Sequence, residues 1–150
     1  MNSNEIYILK AFYNELVRNK KINERYQYNA SSTLSYQLDT QLTPLRYSRY
    51  TQIPDNLNTR TLEWARQIQN QHRNNIDRIN AVLQHFREQP FFYTLQPPLL
   101  GENSVDEFMF ASRKGFCEHY AGSFAYILRA MNIPSRVVVG YQGGEFNELG

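Results

Sequence analysis

One stretch limits what this chain can fold into more than any other: residues 115–141, GFCEHYAGSFAYILRAMNIPSRVVVGY. Gly115 is the residue type that closes a helix in the left-handed conformation, so CEHYAGSFAYILRAM reads as a new helix on its far side. Ala121, Phe124, Ala125 and Leu128 form that helix's inner stripe, and Asn132 and Pro134 end it. RVVVGY, a β-branched run that closes on a glycine, predicts a buried strand. A helix that feeds a buried strand needs a core to pack against, and 150 residues are enough chain to bury one.

The same stretch holds the chain's one cysteine, Cys117. A single thiol excludes an internal disulfide and any multi-cysteine metal site. Cys117 falls at the start of the core helix, where unpaired N–H groups and the positive end of the helix dipole stabilise an anion such as a thiolate. The competing reading is a small apolar group packed under the preceding loop. Spacing alone leaves both open.

Elsewhere the pattern is mostly helical. Ile6, Leu9, Phe12, Tyr13, Leu16 and Val17 have helical spacing over residues 5–18. From about 26 to 53 the chain turns to Thr, Tyr and Ser with partial alternation, broken by Pro44 and Pro54, which predicts edge strands or an extended lead-in. Two helices follow, one marked by Leu62, Trp64, Ala65 and Ile68, the next by Ile76, Ile79, Leu83 and Phe86. Asn58 and Asn75 are candidate caps for them, and Pro90 ends the second. FFYTL (91–95) reads as a short extended segment. Ser-Val-Asp-Glu at 104–107 is a capping-box pattern for a short helix through Ala111, with Arg113 and Lys114 at its negative end and Gly115 as terminator.

Charge excludes some functions. Sixteen basic and fourteen acidic residues leave a net charge of +2, and the arginines are scattered, so no nucleic-acid face is expected. Mean hydropathy is −0.61, and no apolar run approaches the ~20 residues of a membrane span. The N-terminus lacks a secretory-signal pattern, so the chain itself is expected not to insert in a membrane. His72 and His85 fall in helices with no Asp, Glu or Cys at ligand spacing, and neither a metal nor another cofactor is expected.

Three segments together, YTQIPDNLNTRT, YTLQPPLLGENSVDEFMF and RKGFCEHYAGSFAYILRAMNIPSRVVVGYQGGEFN, resemble the transglutaminase-like superfamily, in its bacterial membrane-anchored branch. The resemblance runs from about Tyr50 to Gly150. It implies an incomplete papain-like α+β core, helices followed by the first core strand, with residues 1–53 as a lead-in and 54–150 as the front of the core. It further implies a Cys-His-Asp triad in which Cys117 attacks an amide carbonyl of a protein or peptide and passes the acyl group to an amine or to water. The family's His and Asp follow the segment ending in YQGGEFN, so this chain alone is expected to be inactive. His119 is two helical residues from Cys117, about 200° away, and is not expected to be its base. His72 and His85 lie upstream, against the family order. Tyr93 is a candidate oxyanion donor beside the Cys117 N–H, against the alternative of a half-buried strand tyrosine. Gln142, Gly143 and Gly144 line the cleft or form a plain turn. The resemblance places the parent outside the cytoplasm, in the periplasm. The alternative function is a non-catalytic binding or scaffolding domain with the same fold. An unpaired RVVVGY edge is expected to favour self-association.

Overall fold

The computed structural model describes residues 41–140 throughout, the backbone of 7–9 and 15–17, and isolated positions 21, 23 and 35. By contacts the chain divides into residues 1–38 and 39–150. In the first unit, β1 (Tyr7–Leu9) and β2 (Glu15–Val17) pair antiparallel, with Tyr7 opposite Val17 and Leu9 opposite Glu15. The helix expected over 5–18 is therefore not formed. Tyr7, Ile8 and Val17 are aromatic or β-branched, types that favour extended backbone, and so short an apolar run satisfies helical and strand spacing alike.

The second unit opens with α1 (Pro44–Thr51) in place of the strand expected there. Pro44 was read as a breaker, yet it occupies the first helical turn, where a missing N–H costs nothing and a fixed φ suits the helix. Thr43 Oγ1 accepts from the Arg46 N–H at 3.4 Å to cap it. The rest of the 26–40 stretch lies outside the described residues, apart from Ser35.

Two longer helices form where the sequence predicts them, α2 (Thr59–Gln71) and α3 (Asn75–Glu88). α2 buries Ala65 and Ile68 as expected, whereas on α3 Val82 is the buried residue and Ile76, expected in the stripe, is 70% exposed. The cap of α3 is Asn74, whose Oδ1 accepts from the Asp77 N–H at 2.9 Å, with Asn75 already inside the helix. After β3 (Phe92–Tyr93) come α4 (Ser104–Glu107), a π-helical turn (Phe108–Ser112), β4 (Lys114–Gly115) and α5 (Cys117–Ala130). Ala65, Ile68, Val82, Phe108, Met109, Ile127, Leu128, Met131 and Ile133 form one buried cluster. The buried face of α5 is Ser123 and Ala125–Leu128, whereas Ala121 is exposed, so the inner stripe differs from the expected one. The C-terminal half of α5 is enclosed on several sides, which a one-sided stripe does not anticipate. None of the helices among the described residues is long and apolar enough to cross a membrane.

The capping box expected within 104–107 does not form. Instead the N-termini of α2 and α4 cap each other. Asn58 Oδ1 accepts from the N–H groups of Val105 (3.0 Å) and Asp106 (3.1 Å). Asp106 in return accepts from the N–H groups of Arg60 (3.1 Å) and Thr61 (2.7 Å) and from the Thr61 hydroxyl. Asn103 Oδ1 closes the ring by accepting from the Asn58 N–H at 2.7 Å. Asn58 holds a left-handed backbone, φ 54°, which asparagine tolerates better than most residues. Glu107, freed from Ser104, accepts from the Gly101 N–H at 2.8 Å.

Beyond α5 the chain is pinned as far as Ser135. Its hydroxyl donates to the Ala125 carbonyl at 2.8 Å, its N–H donates to the Tyr50 carbonyl at 3.0 Å, and its own carbonyl accepts from Arg129 Nε at 3.0 Å. Residues 136–140 have no regular structure, and Val138 and Val139 are 80% and 90% exposed. The buried strand expected over 136–141 is thus not formed up to Gly140, because no strand of the described residues lies beside it to take its backbone hydrogen bonds. Tyr141 and Gln142–Gly144 lie outside the described residues.

The reciprocal caps set a stability test. Asp106→Ala strips three donors of one charged acceptor and should cost about 2–3 kcal/mol. Asn58→Ala should cost about 1–2 kcal/mol. Because both serve one junction, urea unfolding of the double variant should show less than the sum of the two losses.

Candidate active site

The path into Cys117 is set by a strained turn and a crowded glycine. Arg113, not Gly115, ends the π-helical turn: it takes a left-handed backbone, φ 50°, and its N–H donates to the Phe108 carbonyl at 3.0 Å. A π-helical turn and a non-glycine residue in this region are both unusual, and both occur disproportionately at functional sites. Gly115 is needed for a different reason. A Cβ there would lie 2.7 Å from both Cβ and Cγ of His119 and 2.9 Å from the Phe108 ring. The glycine lets the chain pass directly beneath His119 before α5 begins.

Cys117 is the first residue of α5 and is exposed to solvent. The carbonyl of Phe116, the residue before it, accepts from the N–H groups of His119 (2.9 Å) and Tyr120 (3.3 Å). The N–H groups of Cys117 and Glu118 have no partner among the described residues and are available to an anion at the helix terminus. Glu118 brings a carboxylate to the same positive end.

Tyr93 is carried to this terminus by backbone pairing. β3 and β4 run parallel with Tyr93 opposite Gly115, and the Phe92 and Thr94 N–H groups donate to the Arg113 and Gly115 carbonyls at 2.8 and 2.9 Å. Tyr93 is 66% exposed, so it is not the half-buried strand tyrosine of the alternative reading. Its ring stacks on Tyr120, with centroids 6.3 Å apart and planes at 23°. Tyr120 lies one turn after Cys117 on the same helical face, and sequence reasoning passed it over. It joins the surface pair to an aromatic cluster of Phe86, Phe91 and Phe108. Burial, and then the nearby Tyr93, raise its phenol above the usual range. The signal available in the sequence was its i, i+3 offset from Cys117.

None of the three histidines hydrogen-bonds Cys117. His119 packs against Phe116 and Phe108, with ring centroids at 4.6 and 5.6 Å. With Glu118, Gly122 and Ser123 it lines a cleft of about 350 Å³ whose opposite wall is Leu100, Ser104, Val105 and Phe108. Those α5 residues are centred roughly 170° round the helix from Cys117, so this cleft faces away from the thiol. His72 ends α2, and His85 sits on α3 against Trp64, their ring centroids 4.5 Å apart. The described residues contain no cluster of three His, Cys, Asp or Glu able to hold a metal ion.

The sequence profile of the transglutaminase-like superfamily matches residues 62–148. The chain is 41% identical over 135 residues to a protein-glutamine gamma-glutamyltransferase of Pseudomonas aeruginosa, covering 90% of this chain and 20% of that protein. It is 33% identical over 105 residues to the uncharacterized protein YebA of Bacillus subtilis, covering 68% of this chain and 14% of YebA. Crystal structures of the periplasmic domain of TgpA from Pseudomonas aeruginosa superpose with TM-scores of 0.69 (bound to ethylmercury) and 0.68, at 44% identity. These superpositions cover 72% of this chain and 39% or 38% of the solved domain. The chain thus spans about a fifth of the length of the first of these relatives. The α+β fold of this domain is the one expected from the sequence.

Two measurements follow from this geometry. Gly115→Ala forces His119 and Phe108 aside and should cost about 1–3 kcal/mol in chemical unfolding. His85 supplies a pH test. Its burial, and then the Arg113 charge, hold the folded imidazole below its ordinary value, so the unfolded chain binds the proton more readily. No penalty exists above about pH 6.5, the ordinary histidine value, and stability should fall as pH drops from there toward the folded value. His85→Gln should flatten that part of a stability-versus-pH curve.

Proposed function

The chain belongs to the transglutaminase-like superfamily, and we propose that it carries the nucleophile of a cysteine acyl-transfer centre, with Cys117 as the attacking thiolate. The supporting observation is the exposed thiol on the first residue of α5, beside two backbone N–H groups that have no partner among the described residues. In the proposed reaction the Cys117 sulfur attacks the carboxamide carbon of a protein-bound glutamine. The carbonyl oxygen becomes an oxyanion at the helix terminus, held by the Cys117 N–H and by the Tyr93 hydroxyl. Collapse breaks the C–N bond, ammonia leaves with a proton from the base, and a thioester remains. An amine then gives a cross-link, or water gives the carboxylic acid.

Glutamine as the acyl donor is suggested by the name of the Pseudomonas aeruginosa relative, and the periplasm as the location by the solved domains. Ethylmercury is a soft metal reagent that seeks thiols, and one of those domains was crystallised with it bound. In this chain the only thiol available to such a reagent is Cys117. The base that would hold Cys117 as thiolate and protonate the leaving amine is none of His72, His85 and His119, given their positions. We place the base and its orienting carboxylate outside these 150 residues, so the chain alone should not turn over.

The test compares three proteins for ammonia release from a glutamine peptide: this chain, the longer protein that contains it, and that protein with Cys117→Ala. Activity only in the longer wild-type protein supports the reading, with a loss of at least about a thousandfold on Cys117→Ala. Activity that survives Cys117→Ala refutes it. A longer protein that is folded but inert, yet captures glutamine-containing proteins, favours the scaffolding alternative.

A further inference from the structure

We infer that His119 is a positioning residue for Cys117, which fixes the first turn of α5 by holding the backbone N–H of Phe116. The inference rests on the reading of Cys117 as the nucleophile. A phenylalanine at a helix N-cap has no side-chain acceptor, so this terminus lacks the usual cap. His119 supplies the missing contact from the third helical position: its Nδ1 accepts from the Phe116 N–H at 3.4 Å. At that length the bond needs a ring that cannot drift, and the packing provides one. The imidazole contacts the rings of both Phe116 and Phe108, and the Gly115 backbone passes so close that no Cβ fits beneath it.

The arrangement divides the labour between the two ends of one turn. His119 takes the N–H of Phe116, and the N–H groups of Cys117 and Glu118 stay unpartnered and aimed at the helix terminus. Accepting at Nδ1 leaves the ring proton on Nε2, the tautomer in which an imidazole can replace a capping glutamate. A donor-only side chain could not do this. The charged group that lines the same cleft as the ring is Glu118. It is not bonded to Nδ1.

The test uses His119→Phe, which keeps a ring without an acceptor, and His119→Asn, which keeps an acceptor without a ring, each checked for folding by its melting curve. Two quantities are read in each variant: hydrogen exchange of the Phe116 amide, and the rate of iodoacetamide alkylation across pH. With a single cysteine in the chain, alkylation reports on Cys117 alone. His119→Phe should speed exchange at Phe116 and slow alkylation near neutrality about two- to fivefold. His119→Asn should restore part of both. Unchanged exchange in His119→Phe overturns the inference. Faster exchange with unchanged alkylation shows a bond that is structural only, and overturns it too. A wild-type alkylation rate no greater than that of free cysteine refutes the nucleophile reading, whatever exchange at Phe116 shows.

Discussion

The second unit of this molecule is organised around the burial of one helix. α5 meets α1, α2, α3, α4, the π-helical turn and β4, and its residues Ile127 and Leu128, with Met131 just after, sit in the centre of the core. Burying side chains of this size stabilises a fold by about 1.5–3 kcal/mol each relative to exposure, more than a typical hydrogen bond between neutral groups. Burial is uneven along the helix. The C-terminal half is enclosed, whereas Cys117 at the N-terminal end is exposed. A nucleophile needs such an arrangement: rigid support from behind and open approach in front.

The site's surroundings are built from aromatic rings more than from hydrogen bonds. Tyr120 touches Phe86, Phe91 and Phe108 inside and Tyr93 at the surface, so the position of Tyr93 is tied to the core through one ring. The backbone ties it a second time, through the parallel pair with β4. Tyr93 and Cys117 therefore belong to one rigid patch although they are far apart in the sequence. On the far side of α5, the cleft bordered by Glu118 and His119 touches the same first turn from behind.

Much of this was legible from residue spacing. The apolar runs of α2, α3 and α5 are long enough to give away three helices and the start of α5 near Cys117, but not which face each helix buries: Ala121 and Ile76, expected inside, are exposed. Where sequence reading failed, the deciding interaction was remote or the local pattern served two structures. Pro44 breaks a helix interior yet starts a helix well, and remote contacts such as the bond from the Tyr47 hydroxyl to the Asn132 carbonyl, at 2.9 Å, favour α1. Ser104 and Glu107 carry a capping box in sequence, but the side chain that caps α4 belongs to Asn58. Gly115 was identified as structurally necessary for the wrong reason: His119, four residues on, crowds it, and the left-handed turn was left to Arg113. Val137–Val139 have strand-forming side chains, but a strand is a property of a pair.

The mutual capping of α2 and α4 also bears on the order in which the chain folds. The acceptors that complete each helix's first turn lie 45 to 48 residues away, on the other helix. Neither first turn is complete until the loop between them has closed, and that closure spends chain entropy before it returns any bond. α3 and α5, whose starts are set by Asn74 and by the Phe116–His119 contact, carry no such requirement and can nucleate locally. The junction of Asn58, Asn103 and Asp106 thus couples the completion of α2 to that of α4, across the long loop that contains α3 and β3.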